Sequence, residues 1–287
     1  MNRPVRILLP WFERREAITA LLGFQLPRSE KEAVAASEEF DAARATLRTR
    51  PPYSEEPLEL GPLPAEIAEA GASYLEQMRA PAWEQGRPRD VRAALVDLRR
   101  VIAFQKAISL DGIAQRVAAA VADDWRSLAA LCLPSADGAS EEELRGTFDK
   151  DERGMTITSL NPNLRASPVR PLGQKGGAQL FGVEVVFGTP FIHVVEYRGR
   201  LFLRDGYHRT FGLLARGIHR VPCLIERGAS SADIHGGGTA FIGREHLLGP
   251  QPPLLTDFHD PAYSRTVEQQ SFRKVVRIRV EEFVIPV

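Results

Sequence analysis

The residues with the clearest chemical potential lie together at Asp205-Gly-Tyr-His-Arg-Thr210. An acidic side chain, a glycine, an imidazole and a guanidinium in one short run are the parts of an anion site. If a helix starts after Gly206, its first amide N–H groups lack intrahelical acceptors and its dipole favours negative charge. His208 and Arg209 then fall in the first helical turn, where a guanidinium adds charge-assisted hydrogen bonds suited to phosphate. On this reading Gly206, Tyr207, His208, Arg209 and Thr210 form a phosphate-binding set. Asp205 and His208 are candidate catalytic groups. Asp205 either only caps the helix or also activates a nucleophile or holds Mg²⁺. Glu196 is a candidate general base, and Asn161 and Arg165 are candidate ligand contacts.

The elements that position this run are readable around it. Phe191 to Tyr197 is β-prone, Arg198-Gly199 makes a tight turn, and Arg200 to Arg204 returns, which predicts a hairpin. Tyr207, Phe211, Leu214 and Ala215 recur at helical spacing and predict one apolar helix face. Asp205 is placed to cap that helix, Gly217-Ile218 to end it in a Schellman-type stop, and Val221 to Ile225 to return as a strand. The expected order is strand, turn, helix, strand. His193 reads as a packed strand residue and His219 as a loop residue.

Asp205-Gly-Tyr-His-Arg209, the short helix and Gly217-Ile-His-Arg-Val-Pro222 resemble the signature of the ParB/sulfiredoxin-like superfamily. Asn161-Pro-Asn-Leu-Arg165 and the Pro190-Phe-Ile-His-Val-Val strand are similar to its earlier boxes. The resemblance covers residues 155–228, about a quarter of the chain. It implies a small mixed α/β domain that sets nucleotide phosphates against the turn at 205–209, with ATP, ADP or CTP and Mg²⁺ as the expected cofactors. Two departures narrow the activity. Sulfiredoxin-like members carry a catalytic Cys beside the His-Arg pair, where this chain has Tyr207. Partition proteins continue into a helix-turn-helix region, where this chain has Gly236-Gly-Gly238, Pro250 and Pro252-Pro253.

Other motifs do not complete. His235-Gly-Gly-Gly238 looks like an oxyanion-hole stretch but no Gly-x-Ser-x-Gly follows, so it reads as a mobile loop near the phosphate site. The histidines match no zinc spacing, and no metal site of that kind is expected. Cys132 and Cys223 sit in apolar surroundings and read as buried thiols.

The chain has 287 residues, with 37 basic and 37 acidic side chains, which argues against a general polyanion binder. No apolar run reaches the roughly 18 residues of a membrane span, and Met1 to Pro10 does not read as a secretion signal, so a cytoplasmic, membrane-free protein is expected. The halves differ: residues 1–150 carry 20 basic and 24 acidic residues, residues 151–287 carry 17 and 13 and all six histidines. The expected fold class is α+β, with a mainly helical N-terminal domain at 1–150 and a ParB/sulfiredoxin-like domain at 151–287, extended by a C-terminal strand that packs on the core. Helices are expected over Ser29–Arg48, Pro64–Arg79, Asp90–Ala107 (ending as a strand in one reading), Gly112–Leu131 and from Glu141. Strands are expected over Met155–Leu160 and Ala178–Phe187. The helical half is the candidate surface for docking a protein partner.

The expected function is nucleotide or phosphate handling, by phosphotransfer or nucleotide hydrolysis at 205–209. The alternatives are a nucleotide-binding switch without turnover, and a nuclease or DNA-associated protein using the basic second half. Nucleotides or phosphorylated small molecules are the expected ligands, with nucleic acid the less favoured partner.

Overall fold

A computed structural model describes residues 2–54, 61–69, 72, 75, 90–133, 146–151, 153–159, 164–166, 169–187, 191–228, 230, 234, 241–271 and 274–284. Among these the chain is mixed α and β, and no described helix is long and apolar enough to cross a membrane.

Strand β1 (Asn2–Leu8) leads into helices α1 (Arg14–Leu21) and α2 (Glu30–Thr49). The Ser29 hydroxyl caps α2 by accepting the Glu32 amide, and Ala36, Phe40, Ala43 and Leu47 form its buried stripe. Residues 65–69 are helical. Strands β2 (Val91–Asp97), β3 (Ile102–Ala103) and β4 (Ala107–Ser109) follow, then the short helix α3 (Ile113–Arg116) and helix α4 (Trp125–Cys132).

Two of the expected helices are therefore corrected. Residues 90–107 form strands because β-branched Val91, Val96 and Ile102 are buried where neighbouring strands offer ladder partners, and tertiary pairing overrides helical spacing. The expected helix at 112–131 is two helices. Asp123 has a left-handed φ of 62°, and the Asp124 carboxylate accepts the Arg126 and Ser127 amides, starting a new helix there. The segments expected at 134–145, including the Glu141 helix, lie outside the described residues.

Strands β5 (Gly146–Phe148), β6 (Gly154–Ser159), β7 (Leu164–Ala166), β8 (Arg170–Lys175), β9 (Ala178–Gly182) and β10 (Val185–Phe187) come next. The hairpin is β11 (His193–Tyr197) and β12 (Arg200–Asp205), with Arg198 and Gly199 both at positive φ in the turn. Helix α5 (Tyr207–Ala215), strand β13 (Arg220–Arg227), the one-turn helix α6 (Arg244–Leu247), β14 (Ser264–Gln270) and β15 (Lys274–Arg279) complete the described elements named here.

The chain forms two compact units, one of residues 1–135 with 191–270 and one of 136–190 with 271–287. This corrects the boundary expected at residue 150. In the first unit a five-stranded sheet has the order β2-β13-β11-β12-β3. The sheet around the hairpin is thus completed by two strands from the first half: β2 lies antiparallel to β13, and β3 lies parallel to β12. The first half is consequently not a separate helical domain, because its strands close both edges of the sheet. Leu98, Ile102, Val194, Phe202, Leu203, Leu213, Val221 and Cys223 are among its main core. A second sheet, β14-β1-β4, packs Val5, Ile7 and Val267 with Phe12, Ala17, Phe40 and Ala43.

Among the described residues the second unit contains three small antiparallel sheets, β15-β6-β5, β10-β7 and β8-β9. The expected terminal strand is present as β15, but it pairs with β6 and leaves Val275 exposed, so it does not join the main core. The expected strand at 178–187 is split after Gly182.

Candidate anion-binding site

The hairpin delivers the chain to the turn at 205–209. Leu201, Phe202 and Leu203 are buried, and β12 lies between β11 and β3, so its end is held on both sides. A bulge between His193 and Val194 leaves His193 opposite Asp205. His193 is buried, with Nε2 at 3.1 Å from Glu226 Oε2.

Gly206 makes the corner. Its φ is +98°, and a Cβ there would stand 2.8 Å from the Phe191 carbonyl oxygen and 3.0 Å from Ile192 Cα. Both the dihedral and the backbone approach require glycine. The N-cap of α5 is Gly206, without a side-chain cap bond. Among the described residues the exposed Asp205 carboxylate accepts only the Gly206 N–H, at 2.7 Å, rather than the amides of the first helical turn, which corrects the expected Asp205 cap. The far end of α5 closes as the sequence predicts: Gly217 has φ +73°, its N–H bonds to the Leu214 carbonyl, and the Ile218 N–H to that of Leu213. The buried face is Tyr207, Thr210, Gly212, Leu213 and Leu214; Ala215, expected there, is exposed. Gly212 admits the close approach of α3, since a Cβ would lie 2.8–2.9 Å from Val117 and Ile113 side-chain atoms.

Thr210 N–H bonds to the Gly206 carbonyl at 2.9 Å, while the N–H groups of Tyr207, His208 and Arg209 have no acceptor among the described residues. Two members of the expected phosphate-binding set turn inward. The Tyr207 hydroxyl accepts the Phe104 amide at 2.8 Å and the Gln105 amide at 3.1 Å, and donates to the Leu203 carbonyl at 3.0 Å. Burial raises its pKa, so it stays a phenol. The fully buried Thr210 hydroxyl donates to the Tyr207 carbonyl. Neither side chain is available to a ligand, and at these positions only backbone remains.

His208 and Arg209 are partly buried and stand among further cations. Burial first, then the charges of Arg116, Arg209 and Arg3, lower the His208 pKa to about 4, against a smaller opposing effect of Asp111. Arg209 is itself disfavoured by burial and by Arg116, with Cys132 and Asp205 acting the other way. Arg209 Nε and Arg3 Nε are buried and have no hydrogen-bond partner among the described residues. Arg216 ties the end of α5 to the carbonyls of Val117 and Ala118, just beyond α3, which carries Arg116. The charges of Arg3, Arg116 and Arg209 all oppose protonation of His208, and Arg116 also disfavours the charge on Arg209. An anion bound there would relieve this excess of positive charge.

Arg3, Arg116 and Asp111 were not legible as site residues, because nothing local marks them. Cys132, buried beside Arg209, has its pKa raised by burial to about 12 and is a thiol at neutral pH. Cys132 and Cys223 are both free and buried.

Glu196 does not join this group. It pairs with Arg92 at 2.5 Å and lies three residues along β11 from His193, about 10 Å toward the opposite end of the strand. Its carboxylate is committed, and the candidate general base is withdrawn. Arg165 lies on β7 in the other compact unit, and Asn161 is outside the described residues, as is His235-Gly-Gly-Gly238.

The donors fit phosphate better than they fit a metal. Asp205 is the one exposed carboxylate of the expected set at the turn. The described residues hold no group of three or more His, Cys, Asp or Glu side chains able to ligate an ion, so phosphate oxygens would supply much of the shell of any Mg²⁺ bound there. No family model, curated protein or solved structure matches this chain.

Proposed function

We propose that this protein handles phosphorylated ligands, nucleotides foremost, with the phosphate chain held at the start of α5. The observation that carries this reading is the pair of buried, unpartnered guanidinium nitrogens, Arg209 Nε and Arg3 Nε, among the cations around His208. Buried donors without partners are costly, and phosphate oxygens would satisfy them together with the three free amides. The resemblance of residues 155–228 to the ParB/sulfiredoxin-like superfamily supports a nucleotide as the carrier of that phosphate.

The groups present favour holding a ligand over turning it over. A His208 that titrates near 4 is poorly matched to proton transfer at neutral pH, and Glu196 is tied to Arg92. Asp205 alone is left as an exposed acceptor beside Arg209, so phosphoryl transfer or hydrolysis would rest on it.

Calorimetric titration with ATP, ADP, CTP and pyrophosphate, with and without Mg²⁺, tests this on wild type and Arg209→Ala. Saturable binding weakened about tenfold or more in the variant is expected, since a charge-assisted contact contributes roughly 1.5–3 kcal/mol. Unchanged affinity in a folded Arg209→Ala protein sinks the assignment. Phosphate release or transfer that is lost in Asp205→Asn would establish turnover.

A further inference from the structure

A cavity of about 630 Å³ in the first unit is lined by residues that the phosphate site does not use, among them Phe12, Phe24, Phe241, Arg15, Glu16 and Lys106. We propose that it binds a planar aromatic carboxylate, with the rings among the three phenylalanines and the carboxylate on Arg15.

The size falls in the range of small-molecule sites, and the mixture of aromatic walls with a few polar groups is what such sites contain. The charges select the ligand's sign. Lys106 is almost wholly buried, pairs with Glu16 at 2.6 Å and lies 5.1 Å from the centre of the Phe12 ring, so this cation and anion neutralise each other. Arg15 is exposed, and its guanidinium has no partner among the described residues. Among its described residues the cavity therefore presents one uncompensated positive charge at an aromatic surface, which a carboxylate on a flat apolar body complements.

The walls are pre-set. The Gln105 amide is held by the Tyr207 hydroxyl, the Ile242 amide bonds to the Phe104 carbonyl at 2.8 Å, and Phe104 packs against Phe241 with ring centres 5.3 Å apart. Phe24 is stationed with a φ of +62°, a left-handed conformation that bulky L-residues avoid. The preceding Gly23 also has positive φ, and a Cβ there would lie 2.4 Å from the Glu268 carbonyl oxygen. α1 thus ends in a turn that keeps a partly exposed phenylalanine on the cavity wall at a backbone cost.

Calorimetric titration of the full chain with naphthoate, and with the neutral naphthalene methanol and the cationic naphthylmethylammonium, tests the proposal. Saturable binding of naphthoate is expected, at least about tenfold tighter than either relative, with Arg15→Gln removing most of that preference. Phe24→Gly removes the ring while relieving the left-handed strain, so it should lose affinity without losing thermal stability. Arg209→Ala should leave naphthoate binding intact, which separates this cavity from the phosphate site. No saturable heat at millimolar naphthoate overturns the proposal, as does equal affinity for the neutral or cationic relative. Unchanged affinity in both Arg15→Gln and Phe24→Gly also overturns it.

Discussion

The hydroxyl of Tyr207 accepts the backbone N–H of Phe104 at 2.8 Å, joining the first residue of α5 to the segment just after β3. The same oxygen takes the Gln105 amide and donates to the Leu203 carbonyl, so one side chain satisfies three backbone groups at the turn. The ring also meets Phe104 and Phe258 edge-on. Tyr207 is therefore a clamp that ties the start of α5 to the ends of β3 and β12.

Tyr207→Phe keeps the ring and removes the oxygen. It leaves the Phe104 and Gln105 amides and the Leu203 carbonyl without that partner, which should destabilise the fold by about 2–4 kcal/mol. Urea denaturation measures this directly. A loss below about 0.5 kcal/mol would show that water or backbone relaxation replaces the hydroxyl.

Gly206→Ala combines an unfavourable φ of +98° with backbone atoms 2.8 and 3.0 Å from the new Cβ. The expected loss is at least about 2 kcal/mol, together with weaker phosphate binding, because the helix start must move. Gly217→Ala is the matched control. It shares a positive φ of 73° but has open space around the Cβ, and should cost only about 1 kcal/mol.

His208 makes stability depend on acid. Its imidazole titrates near 4 in the folded protein and near 6.5 when unfolded. Between those values the unfolded chain binds more protons, so stability falls as pH drops through this window and is unaffected above it. The full loss is on the order of 3 kcal/mol. His246 and His259, also lowered chiefly by burial, act in the same direction. A phosphate bound beside His208 raises its pKa, so binding takes up a proton and tightens as pH falls toward about 5. Proton NMR of the His208 ring, with and without pyrophosphate, checks both statements; a free-protein value at or above 6.5 contradicts them.

Arg50 and Asp257 form a second sensitive pair. Arg50 Nη1 lies 2.8 Å from Asp257 Oδ2, which also accepts the Leu254 amide. Burial raises the Asp257 pKa, and Arg50 holds it down. Arg50→Ala leaves a buried carboxylate unpaired and should cost about 3–5 kcal/mol. The carboxyl of the variant escapes part of that cost by taking a proton, so the deficit grows as pH rises through its folded pKa. Denaturation midpoints at about pH 5 and about pH 8 would show the larger difference at the higher pH.

The strand-turn-helix-strand order over 200–227 follows from the sequence alone because its signals are local. A tight turn at Arg198-Gly199, a glycine corner at Gly206 and a Schellman stop at Gly217 each act within a few residues, and all appear where expected. The placing of His208 and Arg209 at the helix start follows for the same reason. Only the tertiary structure decided what surrounds them. The charges of Arg3 and Arg116 act on His208 from distant parts of the chain, on β1 and α3, and no local pattern announces that. Helical spacing places Tyr207 on the apolar face, where it is buried, but the same residue and Thr210 were also expected to bind phosphate. Spacing does not separate a position beside an anion site from one facing the core. Burial of the turn against Phe104 and Leu203 settles them as inward. Residues 91–103 depended on the fold most of all: their apolar spacing suits a helix, and they are strands because β13 and β12 offer backbone partners at the two sides of one sheet.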